Sequence, residues 1–218
     1  MAIPTFETEA FGVFDDFLDQ ASLENLRRYF ADERFSYVKS FRARSRVFGL
    51  LDGDPLVAPS VVHHHPGPIK GAAPYPAGNA LDGMVQGIES ARDALGRWTG
   101  TQGETWDFFT CTPYLYPVGS GLSWHDDSKD RAASYVFYLH DEWKSSWGAE
   151  LLIGSSQPDS NSDVVGDTSV PSVGTYIKPC PNRLVVIKAG TPHTVKRVDI
   201  GAGENVRMSI AGFFQSQS

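Results

Sequence analysis

Between Trp106 and Phe214 the chain passes through seven short segments rich in β-branched and aromatic residues, at 106–110, 114–116, 135–139, 150–153, 184–187, 193–195 and 206–214. Turn-forming residues separate them, and no helical spacing intervenes. Such a series implies an all-β sandwich or barrel rather than a parallel α/β sheet. Within it stand Trp124-His125-Asp126-Asp127 and, much later, Pro192-His193-Thr194-Val195. On an extended segment side chains alternate faces, so His125 and Asp127 project together while Trp124 and Asp126 point away. His193 can join them if the fold brings its strand alongside. Two imidazoles and one carboxylate form the ligand set of a mononuclear non-haem iron site with coordination positions left open. The same set also suits zinc with a bound water. His-x-Asp alone is a common tripeptide, and by itself it reads as a hydrogen-bonded histidine on a polar loop.

The residues before 106 read differently. Phe14, Phe17, Leu18, Leu23, Leu26, Tyr29 and Phe30 fall at helical spacing, with Asp15, Asp16 or Ser22 as caps. Residues 81–98 repeat that spacing through Leu81, Met84, Val85, Ile88, Ala91, Leu95 and Trp98. Between them, 52–79 is dense in Pro and Gly and reads as an ordered loop or lid. The expectation is one domain over 1–218, with helical support and lid in 1–105 and a β core in 106–218. Residues 154–174, rich in Ser, Gly, Pro and Asp, read as a surface loop.

A formal charge of −7 argues against nucleic acid or an anionic membrane as the main partner. No apolar run approaches the roughly 20 residues that span a bilayer, and the N-terminus lacks the regions of a signal peptide. Cys111 and Cys180 are too few for a disulfide scaffold, so a cytoplasmic location is expected, with their pairing left open.

The motif order carries more than any one motif. Tyr116-Pro-Val-Gly-Ser-Gly leads into His125-x-Asp127; Tyr135 to Leu139 follows, then Trp147-Gly148-Ala149-Glu150-Leu151, Asn182-Arg183-Leu184-Val185 and His193. This order resembles the prolyl-4-hydroxylase-like branch of the iron(II)- and 2-oxoglutarate-dependent dioxygenases over roughly 106–214. The resemblance implies a mainly β double-stranded β-helix, a jelly-roll or cupin-like barrel supported by N-terminal helices. It implies iron(II) on His125, Asp127 and His193, with 2-oxoglutarate as cosubstrate, O2 as oxidant and ascorbate as a reductant. Related halogenases carry Ala or Gly where Asp127 stands, so the carboxylate points to oxygen insertion, desaturation or cyclisation.

Arg207 and Ser209 share one face of the last strand. A guanidinium on an otherwise apolar strand requires a carboxylate partner: an internal salt bridge on residue chemistry alone, the far carboxylate of 2-oxoglutarate by the resemblance. Tyr116 stands where the family places a tyrosine near the cosubstrate, and reads equally as a core aromatic. Phe137 stands where some relatives carry a tyrosine that hydrogen-bonds the cosubstrate, so that donor is either missing or replaced by Ser209 or Tyr135.

Other groups read as bland. His63, His64 and His65, adjacent on an extended segment before Pro66-Gly67, cannot all face one metal and suit a solvent-facing or lid position. His140 reads as a strand-end residue, and Arg42, Arg44 and Arg46 as a solvated strand face. The expected activity is hydroxylation of a C–H bond in a small molecule, an amino acid or a biosynthetic intermediate, with release of succinate and CO2, by a monomer or homodimer. The alternatives are a peptidyl-prolyl hydroxylase, a non-catalytic cupin-like metal-binding protein, or a zinc hydrolase, which would need a general base that no motif supplies.

Overall fold

The computed structural model describes residues 2–40, 48–127, 131–155, 171 and 173–217. Strands β1 (Phe6–Glu7) and β2 (Phe11–Phe14) precede helix α1 (Gln20–Asp32). Strands β3 (Ser36–Tyr37), β4 (Leu56–Val57), β5 (Ser60–His63) and β6 (Ala72–Pro74) lead to helix α2 (Leu81–Thr99). Then follow β7 (Phe108–Tyr116), β8 (Leu122–His125), β9 (Arg131–Tyr138), β10 (Leu151–Gly154), β11 (Gly174–Ile177), β12 (Arg183–Lys188), β13 (His193–Val195) and β14 (Arg207–Gln215). The expected surface loop lies mostly outside the described residues, as do Arg42, Arg44 and Arg46.

A larger sheet runs β1-β2-β12-β9-β14-β7-β4-β3, with β5 on β7 and β6 on β5; a smaller one runs β11-β10-β13-β8. All pairings are antiparallel except β5 with β6. Period-two alternation assigns the faces. Val185 and Ile187 of β12, with Val136 and Tyr138 of β9, meet Leu151, Ile153, Ile177 and Val195 of the smaller sheet. Leu184, Val186, Tyr135 and Phe137 face the other way, onto Met84, Ile88, Leu95 and Trp98 of α2. The result is the expected double-stranded β-helix with helices on its outer face, its two sheets opposed across a core.

The seven apolar positions of 81–98 are all buried. The first predicted helix begins later than its apolar spacing suggests. Phe11–Phe14 is a strand buried on both faces, and the helix starts at Gln20, where Asp19 accepts from the Ser22 backbone N–H at 2.9 Å. The cap is therefore Asp19, not Asp15, Asp16 or Ser22. Asp15 instead takes two hydrogen bonds from Arg183, at 2.6 and 3.0 Å. Asn182 exchanges side-chain bonds with the backbone of Leu18, at 2.9 and 2.8 Å. The Asn-Arg pair before β12 thus ties the N-terminal segment to the large sheet. Residues before 106 also supply six of the ten strands of that sheet, and 52–79 holds paired strands as well as turns.

Gly148 has a φ of 69°, and a Cβ there would meet the Arg197 carbonyl at 2.4 Å. Ala149 takes a φ of 60°, a left-handed conformation that costs an L-residue roughly 1–2 kcal/mol. The two cysteines are not paired: Cys111 is buried, and its sulfur lies 2.8 Å from the Tyr135 hydroxyl. No helix among the described residues is long and apolar enough to cross a membrane.

Candidate active site

The smaller sheet brings the two histidines together. His193 on β13 stands directly opposite His125 at the end of β8, with an irregularity between His193 and Val195. Thr194 donates to the Leu122 carbonyl at 2.6 Å, and Asp52 accepts from the Ser123 backbone N–H at 2.8 Å. These bonds fix β8 from both sides. The strand ends at His125, so Asp127 reaches the same place from the segment just beyond it.

One ligand atom from each of His125, Asp127 and His193 lies within 4.8 Å of the others. His193 Nε2 is 3.3 Å from Asp127 Oδ2, and the two imidazole centroids are 4.2 Å apart. Each ring contacts a backbone carbonyl through Nδ1, His125 with Ser123 and His193 with Thr191, both at 2.8 Å. A carbonyl only accepts, so Nδ1 carries a proton in each ring and Nε2 is the nitrogen turned toward the cluster, able to bind a metal in exchange for any proton it holds. Asp127 is 5% exposed. Burial opposes its ionisation, but the hydrogen bond and charge of His193, with the charges of His125 and Arg131, outweigh it and hold the carboxyl down at about 2. Arg131 also bonds Asp127 Oδ1. Burial, with the neighbouring His193 charge, lowers His125 below the ordinary imidazole value. Two free imidazole nitrogens and one ionised carboxylate oxygen are the donor set that a divalent iron accepts.

Against Tyr116 stands a charge with no carboxylate partner among the described residues. Arg207 is 1% exposed and Ser209 fully buried, both on the inner face of β14. The guanidinium lies between the rings of Tyr116 and Tyr138, 4.7 and 4.9 Å from their centroids. It donates to Ser209 Oγ at 3.3 Å, while its Nε has no hydrogen-bond partner. Among the described residues no carboxylate pairs with it. Tyr138 Oη is buried and equally unpartnered, and burial raises its pKa so that it stays protonated, a donor. An unpaired buried cation beside an unpaired buried hydroxyl is the lining an anionic ligand would complete.

Of the two expected replacements for the missing tyrosine, the structure removes Tyr135 and leaves Ser209 beside Arg207. Phe137 and Tyr135 both face the helices, where Tyr135 donates to the Thr110 carbonyl at 2.7 Å. The inward tyrosine of β9 is Tyr138, one residue on and therefore on the opposite face. Sequence reasoning also passed over Arg131, whose guanidinium stacks 3.6 Å from the Phe213 ring. His140 is buried between Tyr138 and Trp143, with both ring nitrogens unpartnered. A cavity of about 290 Å³ opens onto His125, Asp127 and Tyr116, walled also by Ser60, Val62 and residues 69–72 of the N-terminal third.

A double-stranded β-helix with a His-x-Asp…His cluster and a buried unpaired arginine is the arrangement expected of a 2-oxoglutarate-dependent dioxygenase. Residues 111–215 match the model of the 2OG-Fe(II) oxygenase superfamily. Among solved structures, a Pseudomonas putida prolyl-4-hydroxylase shares 20% identity over 97% of this chain and 95% of its own, with a TM-score of 0.65. A Trichoplax adhaerens prolyl hydroxylase, solved with a peptide fragment of the hypoxia inducible factor oxygen degradation domain, shares 20% over 96% and 84%, at 0.60. The α-ketoglutarate-dependent epimerase SnoN of nogalamycin biosynthesis shares 14% over 95% and 78%, at 0.58. No curated protein matches the chain by sequence. Residues 111–215, the β core of the chain, thus carry the signature of the 2OG-Fe(II) oxygenase superfamily, and the fold of the whole chain is shared with the prolyl hydroxylases among these structures.

Proposed function

We propose that this dioxygenase hydroxylates an unactivated C–H bond of a small molecule, an amino acid or a biosynthetic intermediate. His125, Asp127 and His193 would hold the iron, and Arg207 the far carboxylate of 2-oxoglutarate. Arg207 carries the reading. Burying an unpaired charge costs several kcal/mol, and a dicarboxylate cosubstrate supplies the partner the chain lacks. Neither a cupin-like metal carrier nor a zinc hydrolase has a use for such a clamp.

Iron with 2-oxoglutarate and O2 supplies the oxidising power, with succinate and CO2 as by-products and ascorbate as a reductant. The protein's share is placement. Ser123 and Thr191 aim the two imidazoles through their Nδ1 protons. Arg131 holds one oxygen of Asp127, leaving the other turned to the metal ligands. Arg207, Ser209 and the Tyr138 hydroxyl offer donors to one carboxylate, with Tyr116 packed on the guanidinium face.

The small cavity supports a small substrate. Its volume of about 290 Å³ sits at the lower end of the range of roughly 300–1,000 Å³ for ligand pockets, and cosubstrate and substrate would share it. A peptidyl proline, as in the structural relative solved with a peptide, is the second reading. Succinate release is the test, run with free amino acids and proline-containing peptides in parallel. Turnover with free compounds supports the proposal; turnover with peptides alone overturns it.

A further inference from the structure

His63 and His64 are neighbours on an extended segment and would ordinarily point to opposite faces, yet their ring centroids lie 3.7 Å apart. The backbone explains this. Strand β5 ends at His63, and His64 takes a φ of 67°, a region that bulky L-residues seldom enter. That conformation brings both Nε2 atoms to Glu89 Oε1 on α2, at 3.6 and 3.4 Å. Neither contact is a hydrogen bond, and Glu89 Oε1 is buried with no hydrogen-bond partner at all. The separations instead suit ligand atoms sharing a metal, because two bonds of about 2.0–2.1 Å at the tetrahedral angle set donors about 3.3–3.4 Å apart. The three donor atoms lie within 4.8 Å of one another, as those of His125, Asp127 and His193 do. His65 takes no part: its Nδ1 contacts the Gly67 carbonyl at 2.7 Å, and its ring packs against Phe108.

We propose that His63, His64 and Glu89 form a second metal site, on the helical side of the large sheet, that binds zinc(II) with water in the fourth position. Two imidazoles and one carboxylate are a zinc ligand set. The surroundings fit. Tyr75 and Phe109 stand nearly perpendicular to the His63 ring, with centroids 4.5 and 5.3 Å away, and Arg92 stands 3.7 Å from the other oxygen of Glu89. All three ligands are partly exposed, so an ion can enter from solvent. The site has a structural consequence. Ser60 and Val62 face the active-site cavity, whereas Val61 packs into the helical-side core and His63 follows it two residues on. A metal there pins the end of a cavity-walling strand to α2.

The test is a zinc(II) titration of the Asp127→Ala/His193→Ala chain, which lacks the first cluster, by calorimetry against a competing chelator. One tightly held zinc per chain is expected. Glu89→Gln, or His64→Asn, which tolerates the positive φ, should weaken it by at least about 100-fold, since losing only an outer partner of a ligand costs 10–100-fold. Should the double variant fold poorly by circular dichroism, the wild type carries the same test: two zinc ions per chain, falling to one in Glu89→Gln. No uptake tighter than about 100 μM, a binding energy of only about 5.5 kcal/mol, overturns the proposal. So does an affinity unchanged by both substitutions.

Discussion

Arg207→Met separates what this residue does for the cosubstrate from what it does for the fold. A methionine keeps the length and apolar bulk and removes the charge. With 2-oxoglutarate bound, two charge-assisted hydrogen bonds are lost, each worth about 1.5–3 kcal/mol. Together that is about 3–6 kcal/mol, or roughly 10²–10⁴ in kcat/KM for 2-oxoglutarate. Without cosubstrate the sign differs. The buried guanidinium pays a desolvation cost of several kcal/mol. Its contacts with Tyr116 and Tyr138 return about 2 kcal/mol each, and no carboxylate returns the rest. Arg207→Met should therefore leave the ligand-free chain about as stable as the wild type or slightly more so. The assay is thermal unfolding with anaerobic iron(II), with and without 2-oxoglutarate. At a hundredfold excess over Kd, the wild type should gain about 2.7 kcal/mol, which is roughly 5–11 °C for a chain of this size. The variant should gain no more than about 0.4 kcal/mol. A ligand-free variant several kcal/mol less stable would make Arg207 a structural charge, and an unchanged KM for 2-oxoglutarate would refute the clamp outright.

Three further outcomes follow from the same geometry. Tyr138→Phe removes one donor beside Arg207 and should raise KM for 2-oxoglutarate about tenfold, one hydrogen bond's worth, with kcat little changed in steady-state assays. Burial, then the nearby Arg207 charge, lowers His140 to about 3, whereas in the unfolded chain it titrates near about 6.5. Its folded value is depressed, so its contribution to stability is intact above that pH and is lost as pH falls from there through about 3, by about 1.4 kcal/mol per unit. His140→Phe should remove that part of the acid sensitivity in urea unfolding between pH 6.5 and 3. Asp19→Ala deletes the cap of α1 and should lower the urea midpoint in the same assay.

What could be read from the sequence, and what could not, divides along one physical line. Where a segment is buried on one side, its period shows, and α2 lay where its apolar spacing placed it. Where it is buried on both sides, the period vanishes: Phe11–Phe14 presents apolar residues to two cores, and their run into Phe17 and Leu18 imitates a helix. The site obeys the same division. His125, Asp127 and His193 have side chains that do chemistry whatever surrounds them, and their motif order was visible. The partner of Arg207 on β9 depended on which face that strand turns inward. A shift of one residue exchanges Phe137 for Tyr138, and only the register against β12 and β14 decides between them. The closeness of His63 to His64 was hidden for a related reason. Alternation separates neighbours on a strand, and a single left-handed residue at position 64 cancels it. Ligand identity is written in the chain one residue at a time, while the direction each ligand faces belongs to strand pairing and to the few residues that leave the extended region.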